Sequence, residues 1–353
     1  MAPSLTESIH MLECSLTHKL SSAHHRLLLG IVCVWLPLTS VSLGQPFDAS
    51  PPALHIMTWN VEWMFDNYRG DNRSELSKKQ SAASKEIWEG KVAGVAGVVA
   101  SAKPEIVALQ EIESDQTLAA IVEELRSRHD LSYRYAFIQG SDSFTEQDVG
   151  ILFRSGMISY RRHEQSKAMF ESGRYYNLSK HLAAEFRWSD IESPLTLFNV
   201  HLRATAAAEH VRVRQARLAR HWVEPMLAAG QDVVVLGDFN SETHTGERRS
   251  DTGVMLGDGS GTAMVDLLTR LDDPTTSTHL ILDRQFDRLF VSPSLIEDGP
   301  GRDWSFESIH VLTQEVIRGS RDGHDHWDNP ATKSPSELDI SDHFPVVAKF
   351  ILR

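Results

Sequence analysis

An apolar run passes straight into Gly237-Asp238-Phe239-Asn240 in "VVVLGDFNSE", residues 233–242. On an extended backbone, positions two apart point to the same side, so a carboxylate and a carboxamide are pushed into one small space. Gly237 permits a sharp turn or the close approach of another group. For this stretch alone a plain strand-end turn, in which Asp and Asn bond their own backbone, is an equal explanation. The pattern recurs, however. "IMTWNVE" ends in Asn60 and Glu62, "IVALQE" in Gln110 and Glu111, and "LTLFNVHL" carries Asn199 and His201. "QFDRLFVS" places Asp287 at a strand start, and "ELDISDHFPVVAKF" sets Asp339, Asp342 and His343 before the last apolar run. One such terminus is a turn; six are a site, because strands that end together present these side chains around one cleft.

The set has a coherent chemistry. Glu111, Asp238, Asp342, Asn60 and Asn240 are hard oxygen donors, which favour Mg²⁺, Mn²⁺ or Ca²⁺ over zinc. His201 and His343 offer proton transfer near neutral pH. Asp287 could hold one imidazole in a fixed tautomer and stabilise its charged form. With no nucleophilic Ser or Cys motif, this combination points to water attacking phosphorus.

The elements that must carry these residues follow from periodicity. Strands are expected at 54–61, 105–111, 133–138, 148–153, 157–163, 181–188, 195–202, 233–237, 286–292, 303–312 and 344–352. A helix over 84–101 is closed by Pro104, and Ser114 caps the one after the second strand. A long helix over 207–229 should bury Val211, Leu218, Trp222 and Met226, and a short one lies near 262–271. Residues 318–341, rich in Asp, Gly, Pro, Ser and Lys, read as a long loop. Within it "RDGHDHWDN" (321–329) is rich in metal-binding types, but its spacing fits no ligand pattern, so a flexible loop is expected. Strands and helices mix without a regular βαβ rhythm, which argues for packed sheets with outer helices.

"TWNVE", "ALQE", "NVHL", "GDFNSE", "FDRLFVS" and "SDHFPV", in this order over residues 57–347, resemble the endonuclease/exonuclease/phosphatase superfamily, the DNase I-like fold. The resemblance implies an α/β (α+β) four-layered α/β/β/α sandwich. It also implies that Asn60 and Glu111 bind a metal or the scissile phosphate, with Asp342 a further metal ligand. Asp238 would orient or deprotonate the attacking water, Asn240 would sit beside it on the phosphate, and His343 would pair with Asp287. His201 matches the second histidine of the DNase, sphingomyelinase and inositol-phosphatase branches. Glu62 stands where many relatives have Asp. Outside these motifs, Arg203 should share a face with His201 and could hold a phosphate. Asp148 opens a strand and is a further substrate contact or a strand-start turn. Arg174, Lys180 and Arg187 could form a positive strip. Trp59 reads as core, and Trp63 as a base-stacking or lipid-facing ring.

The chain has 353 residues and a formal net charge of −13. Residues 27–43, "LLLGIVCVWLPLTSVSL", follow Lys19 and Arg26 and end in small residues, so 1–44 read as a secretory signal cleaved near Gly44–Gln45. An uncleaved anchor is the rival. Both cysteines, Cys14 and Cys33, lie in this leader, which leaves residues 45–353 as one domain without disulfides or thiolate sites. Glu7, Glu13, Lys19 and Arg26 cancel, so this domain keeps the whole acidic balance and does not attract polyanions passively. The expectation is a secreted or periplasmic, monomeric, divalent-metal-dependent phosphodiesterase, with DNA as the nucleic-acid substrate and Mg²⁺ (or Mn²⁺/Ca²⁺) as cofactor. The alternative is a sphingomyelinase-like or inositol-phosphatase-like hydrolase.

Overall fold

The computed structural model describes residues 47–241, 250–257, 262–297, 303–327 and 336–353. The expected leader and its cleavage site lie outside the described residues. The strands among the described residues are β1 Ala53–Met64, β2 Ile106–Ile112, β3 Arg134–Phe137, β4 Asp148–Phe153, β5 Met157–Arg161, β6 His181–Phe186, β7 Leu195–His201, β8 Asp232–Asp238, β9 Val265–Asp266, β10 Asp287–Val291, β11 Trp304–Val311 and β12 Val346–Leu352. The helices are α1 Glu75–Gln80, α2 Lys85–Ala102, α3 Asp115–His129, α4 Lys167–Glu171, α5 Glu209–Ala228 and α6 Asp251–Leu256. The strands form two six-stranded sheets, in the orders β11-β12-β1-β2-β4-β3 and β5-β6-β7-β8-β10-β9. The pairs β1–β2 and β7–β8 are parallel, and their neighbours are antiparallel.

Alternation along the strands builds the layers. Leu54 and Ile56 of β1, Ile106 and Ala108 of β2, Leu195 and Leu197 of β7, and Val234 and Leu236 of β8 meet in the core between the sheets. The intervening residues face outward: Met57, Trp59, Val107 and Leu109 pack under α2 and α3, while Phe198, Val200, Val233 and Val235 pack under α5. Four layers result, α/β/β/α, with α2, α3 and α5 each burying one stripe. Ser84 and Ser114 cap α2 and α3 by accepting from Ile87 N and Thr117 N. Among the described residues no helix is long and apolar enough to cross a membrane.

Two expectations need correction. The helix expected near 262–271 is instead the edge strand β9 followed by a 3₁₀ turn, Leu267–Arg270. Asp266 caps that turn through Leu268 N and takes the buried Arg288 guanidinium at 2.9 Å, so its side chain has work that a helix interior would not offer. In α5 only Leu218 of the four expected core residues is fully buried. The inward stripe is Arg212, Gln215, Ala216, Leu218, Ala219, Val223 and Leu227. Arg212 turns inward because its guanidinium bonds Asp251 and the carbonyls of Arg203 and Thr205.

Candidate active site

The inner faces of five strands carry apolar side chains for most of their length and polar ones at a single end. On β1 the inward series runs Leu54, Ile56, Thr58, Asn60; on β2, Ile106, Ala108, Gln110; on β7, Leu195, Leu197, Asn199, His201; and on β8, Val234, Leu236, Asp238. Antiparallel β10 enters the same end with Asp287. Sheet register aligns them: His201 pairs with Asp238, Asp238 with Asp287, and Asn60 with Gln110. Beneath the site is a fully buried polar layer. Gln110 Nε2 donates to Asn199 Oδ1 at 2.8 Å and to Thr58 Oγ1 at 3.1 Å, and Asn199 Nδ2 donates to the carbonyls of Leu109 and Gly150. Those bonds tie the two sheets together where the apolar core stops.

Asp238 is the hub. Its Oδ2 accepts from Asn60 Nδ2 at 2.9 Å and Asn240 Nδ2 at 3.0 Å, and its Oδ1 accepts from Asn240 N at 2.7 Å. Asn240 reaches it through a left-handed backbone, φ 49°. "GDFN" is therefore both an Asp-anchored turn and part of the site. Gly237 permits the close approach, since a Cβ there would collide with the Val200 carbonyl of neighbouring β7. His201 Nε2 lies 3.5 Å from Asp238 Oδ2, and His343 Nε2 lies 3.9 Å from the same oxygen. His343 Nδ1 donates to Asp287 Oδ2 at 2.8 Å, with both residues buried. The Trp59 indole, fully in the core as expected, donates to the His343 carbonyl at 2.9 Å.

Burial pushes the Asp238 carboxyl up to about 7, with Asp287 adding to the rise and His343 opposing it. Burial alone would lower His343, but Asp287, Asp238 and Asp342 hold it well above the usual histidine range. Burial, Lys180 and His343 keep His201 well below that range. The two histidines are thus unlike at neutral pH: one a cation, the other neutral.

Glu111 and Asp342 face the cavity as a pair of carboxylates. Glu111, itself left-handed at φ 64°, accepts from Trp63 N at 2.8 Å, and Asp342 Oδ2 accepts from the Trp327 indole at 2.9 Å. Burial and then Asp342 push the Glu111 carboxyl up, so the two like charges sit close and undercompensated. A hard divalent cation fits that donor set. Of the nearby imidazoles, His343 spends Nδ1 on Asp287. His279 Nδ1 accepts from Ile281 N and Leu282 N, both at 3.1 Å, which leaves its proton on Nε2 and no lone pair for an ion.

The remaining expected residues divide. Asn60 is in the site, where Oδ1 accepts from Glu62 N at 2.9 Å and Nδ2 bridges Glu111 Oε1 at 3.1 Å and Asp238. It orients two carboxylates. Arg203 lines the roughly 710 Å³ cavity beside His201, together with Lys180. Asp148 does not line it; its buried carboxylate accepts from Gly140 N at 2.7 Å instead. Arg174, Lys180 and Arg187 do not form a strip. Arg174 lines a separate hollow beside α5 and α6, and Arg187 lies over Phe47.

Within the loop read as flexible, the described residues 321–327 are anchored to the site, and 328–329 lie outside the described residues. Buried His326 bonds Glu62 Oε2 at 2.8 Å and Asp322 Oδ2 at 2.9 Å, while Asp342 N donates to Glu62 Oε2 at 3.2 Å. Burial works against the charged form, but Glu62 and Asp322 raise His326 to about 9. Glu62 is thus a strut for Asp342. Sequence reasoning missed His279, buried and 3.8 Å from Asp342 through Nε2; "STHL" carries no polar periodicity that would flag it.

Comparison with known proteins bears on this arrangement. No curated protein sequence matches the chain. Among solved structures, the endonuclease/exonuclease/phosphatase from Bacteroides vulgatus superposes with TM-score 0.55 at 15% identity, covering 86% of this chain and 100% of that one. The human Nocturnin catalytic domain with bound sulfate anion gives 0.53 at 15%, over 87% and 97%. D. rerio TDP2 complexed with single strand DNA product gives 0.53 at 17%, over 85% and 99%. At these identities the structures show a shared fold. The sequence model of the endonuclease/exonuclease/phosphatase family matches residues 57–343, which span the first five motifs, the Ser341-Asp342-His343 start of the sixth, and both histidines. The chain belongs to the endonuclease/exonuclease/phosphatase family and is a metal-dependent phosphoric ester hydrolase.

Proposed function

We propose that this enzyme is an exported phosphodiesterase that cuts DNA by in-line attack of water, with Mg²⁺ as its physiological ion. The observation that carries the reading is the flanking of one carboxylate, Asp238, by two imidazoles in opposite charge states, His201 and the Asp287-backed His343. Asp238, with its carboxyl near 7, is suited to orient water and accept its proton. His343, held as a cation, is suited to give a proton to the leaving oxygen, while neutral His201 presents Nε2 to a phosphate oxygen. A cation held by Glu111 and Asp342 would supply Lewis-acid charge to the phosphate. Arg203 and Lys180 add local positive charge in an acidic protein.

The rim of the large cavity favours a nucleic acid. Phe144 and Phe170 are 65% and 53% exposed, with Tyr176 beside them, and exposed rings next to cationic side chains are what bases stack on. TDP2 bound to single strand DNA product supports the same substrate class. The same exposed rings also favour a second reading, contact with a lipid surface by a sphingomyelinase-like enzyme. Plasmid DNA, RNA, sphingomyelin vesicles and inositol phosphates, each with Mg²⁺, Mn²⁺, Ca²⁺ or EDTA, separate the two. Hydrolysis of DNA that EDTA abolishes is expected; hydrolysis of sphingomyelin alone refutes the nuclease reading. Export rests on the apolar leader at 27–43, and N-terminal sequencing of the protein outside the cytoplasm should begin near Gln45. An intact leader in a membrane fraction refutes cleavage.

A further inference from the structure

A second cavity, of about 300 Å³, shares Trp63, Glu111 and Asp342 as a common wall with the large one. The carboxylates that would hold the cation therefore stand between two hollows. The smaller one differs in character. Phe65, Ala83, Ile87 and Leu338 give it an apolar part beside Glu62 and Lys91, the Trp327 indole closes one side, and exposed Lys79 also lines it. Its volume is at the lower end of the ~300–1,000 Å³ range of small-molecule sites.

Both tryptophans are tied to the carboxylates, Trp63 through its backbone N–H and Trp327 through its indole. Glu62 and Trp63 are consecutive non-glycine residues in the left-handed region, φ 47° and 42°. Such backbone persists only where its surroundings enforce it. Here the enforcing contacts are Trp63 N on Glu111 at 2.8 Å and the Trp63 ring edge-on to Phe65 at 5.3 Å. Trp327 is tied by its indole N–H to Asp342. A ligand in this hollow thus lies against two rings, each residue one hydrogen bond removed from a carboxylate that would hold the cation.

We infer that the small cavity is the seat of one unpaired nucleobase of the substrate strand, immediately beside the scissile phosphate. This rests on the nuclease reading and deepens it. A flat aromatic group matches two indole walls and an apolar floor, and Lys79 suits the next phosphate along the strand. A base paired and stacked in a duplex cannot enter unless it flips out, at a cost of a few kcal/mol. The enzyme therefore prefers single-stranded DNA, or duplex with an unpaired nucleotide, over perfect duplex.

The test measures kcat/KM with Mg²⁺ on a single-stranded oligonucleotide, on the same sequence fully paired, and on 4-nitrophenyl methyl phosphate, which is too small to span both cavities. The wild-type chain should favour the single strand over the duplex at least tenfold. Ala83→Trp fills the cavity from an exposed position, and Lys79→Glu reverses the charge without altering the core. In each, the ratio of oligonucleotide to small-diester kcat/KM should fall at least tenfold. If DNA is cut without strand preference and both variants keep the wild-type ratio, the base assignment falls and the nuclease reading stands. If the small diester is hydrolysed but no DNA is, both fall together. If the variants lose turnover only on sphingomyelin vesicles, the hollow takes an acyl chain and the base assignment is overturned.

Discussion

If His343 protonates the leaving oxygen, the consequence of losing it depends on the leaving group. On DNA, His343→Ala removes a general acid, an effect of about 10²–10⁴ in rate. Asp287→Asn acts through the same ring. Two charges ~4 Å apart attract by about 4 kcal/mol at an effective dielectric of ~20, a ceiling of about three decades. The true loss should be smaller, because Asp238 and Asp342 remain 3.9 and 3.8 Å from His343 Nε2 and still favour the cation. We expect a fall of about 10² for Asp287→Asn and about 10³ for His343→Ala. With a 4-nitrophenyl phosphodiester, whose leaving group needs no proton, both losses should shrink to within about tenfold. His201→Ala, also down about 10² on DNA, should not be rescued, because His201 acts on the phosphate. Single-turnover rates on the two substrates decide. Equal rescue of both histidine variants, or none for His343→Ala, refutes the division of labour.

Two further perturbations probe how the site is held. Asn60→Asp should weaken cation binding in titration calorimetry and lower stability by about 1–3 kcal/mol, since it forces a third carboxylate between Glu111 and Asp238 and leaves their donor missing; tighter cation binding would mean that Asn60 is a ligand after all. Asp148 gives a pH signature: burial raises its carboxyl from 3.8 to about 7, so between those values the folded state holds a proton that the unfolded state has released. Its stabilising contribution is therefore complete below pH ~4 and lost as pH rises toward 7, at up to ~1.4 kcal/mol per pH unit. Urea unfolding of Asp148→Asn should show a shallower fall over that window, and an unchanged slope would contradict the assignment.

Much of the site was legible because its residues obey strand periodicity. In β1, β2, β7 and β8 the inward positions change from aliphatic to polar at one end, which a single sequence displays directly. What escaped depended on partners distant in sequence. Asn60 reads only as an oxygen donor until its Nδ2 is seen to bridge Glu111 and Asp238. His326 looks like part of a solvated Asp-rich loop until Glu62, 264 positions earlier, is found beside it. His279 carries no signal at all, because two backbone N–H groups of its own turn fix its tautomer. In α5 the sequence stripe was displaced because a buried arginine paired with Asp251 outweighed the placement of Trp222 and Met226. Periodicity ranks apolar residues; it cannot foresee an ion pair that draws a charge inward.

The carboxylates around the cleft imply one more result, independent of turnover. Glu62, Glu111, Asp238, Asp287 and Asp342 converge there, while Lys91, Lys180, Arg203, His326 and His343 supply the nearby positive charge. Glu62 is matched by His326, and Asp287 by His343, at 2.8 Å each. The excess falls on Glu111 and Asp342, whose repulsion already raises Glu111. A cation that binds this pair only in the folded state stabilises it by about 2.7 kcal/mol at a hundredfold excess over Kd. For a domain of this size that is a rise in melting temperature of about 5 °C or more. Glu111→Gln halves the anionic pair while keeping an oxygen for either Trp63 N or Asn60 Nδ2. Relief of repulsion and loss of one hydrogen bond then oppose each other. The variant should melt within a few degrees of the cation-free wild type, lose most of the Mg²⁺-induced rise, and show no metal-dependent turnover. A variant that keeps the full thermal shift would place the ion elsewhere, and one that fails to fold would make Glu111 a structural residue first.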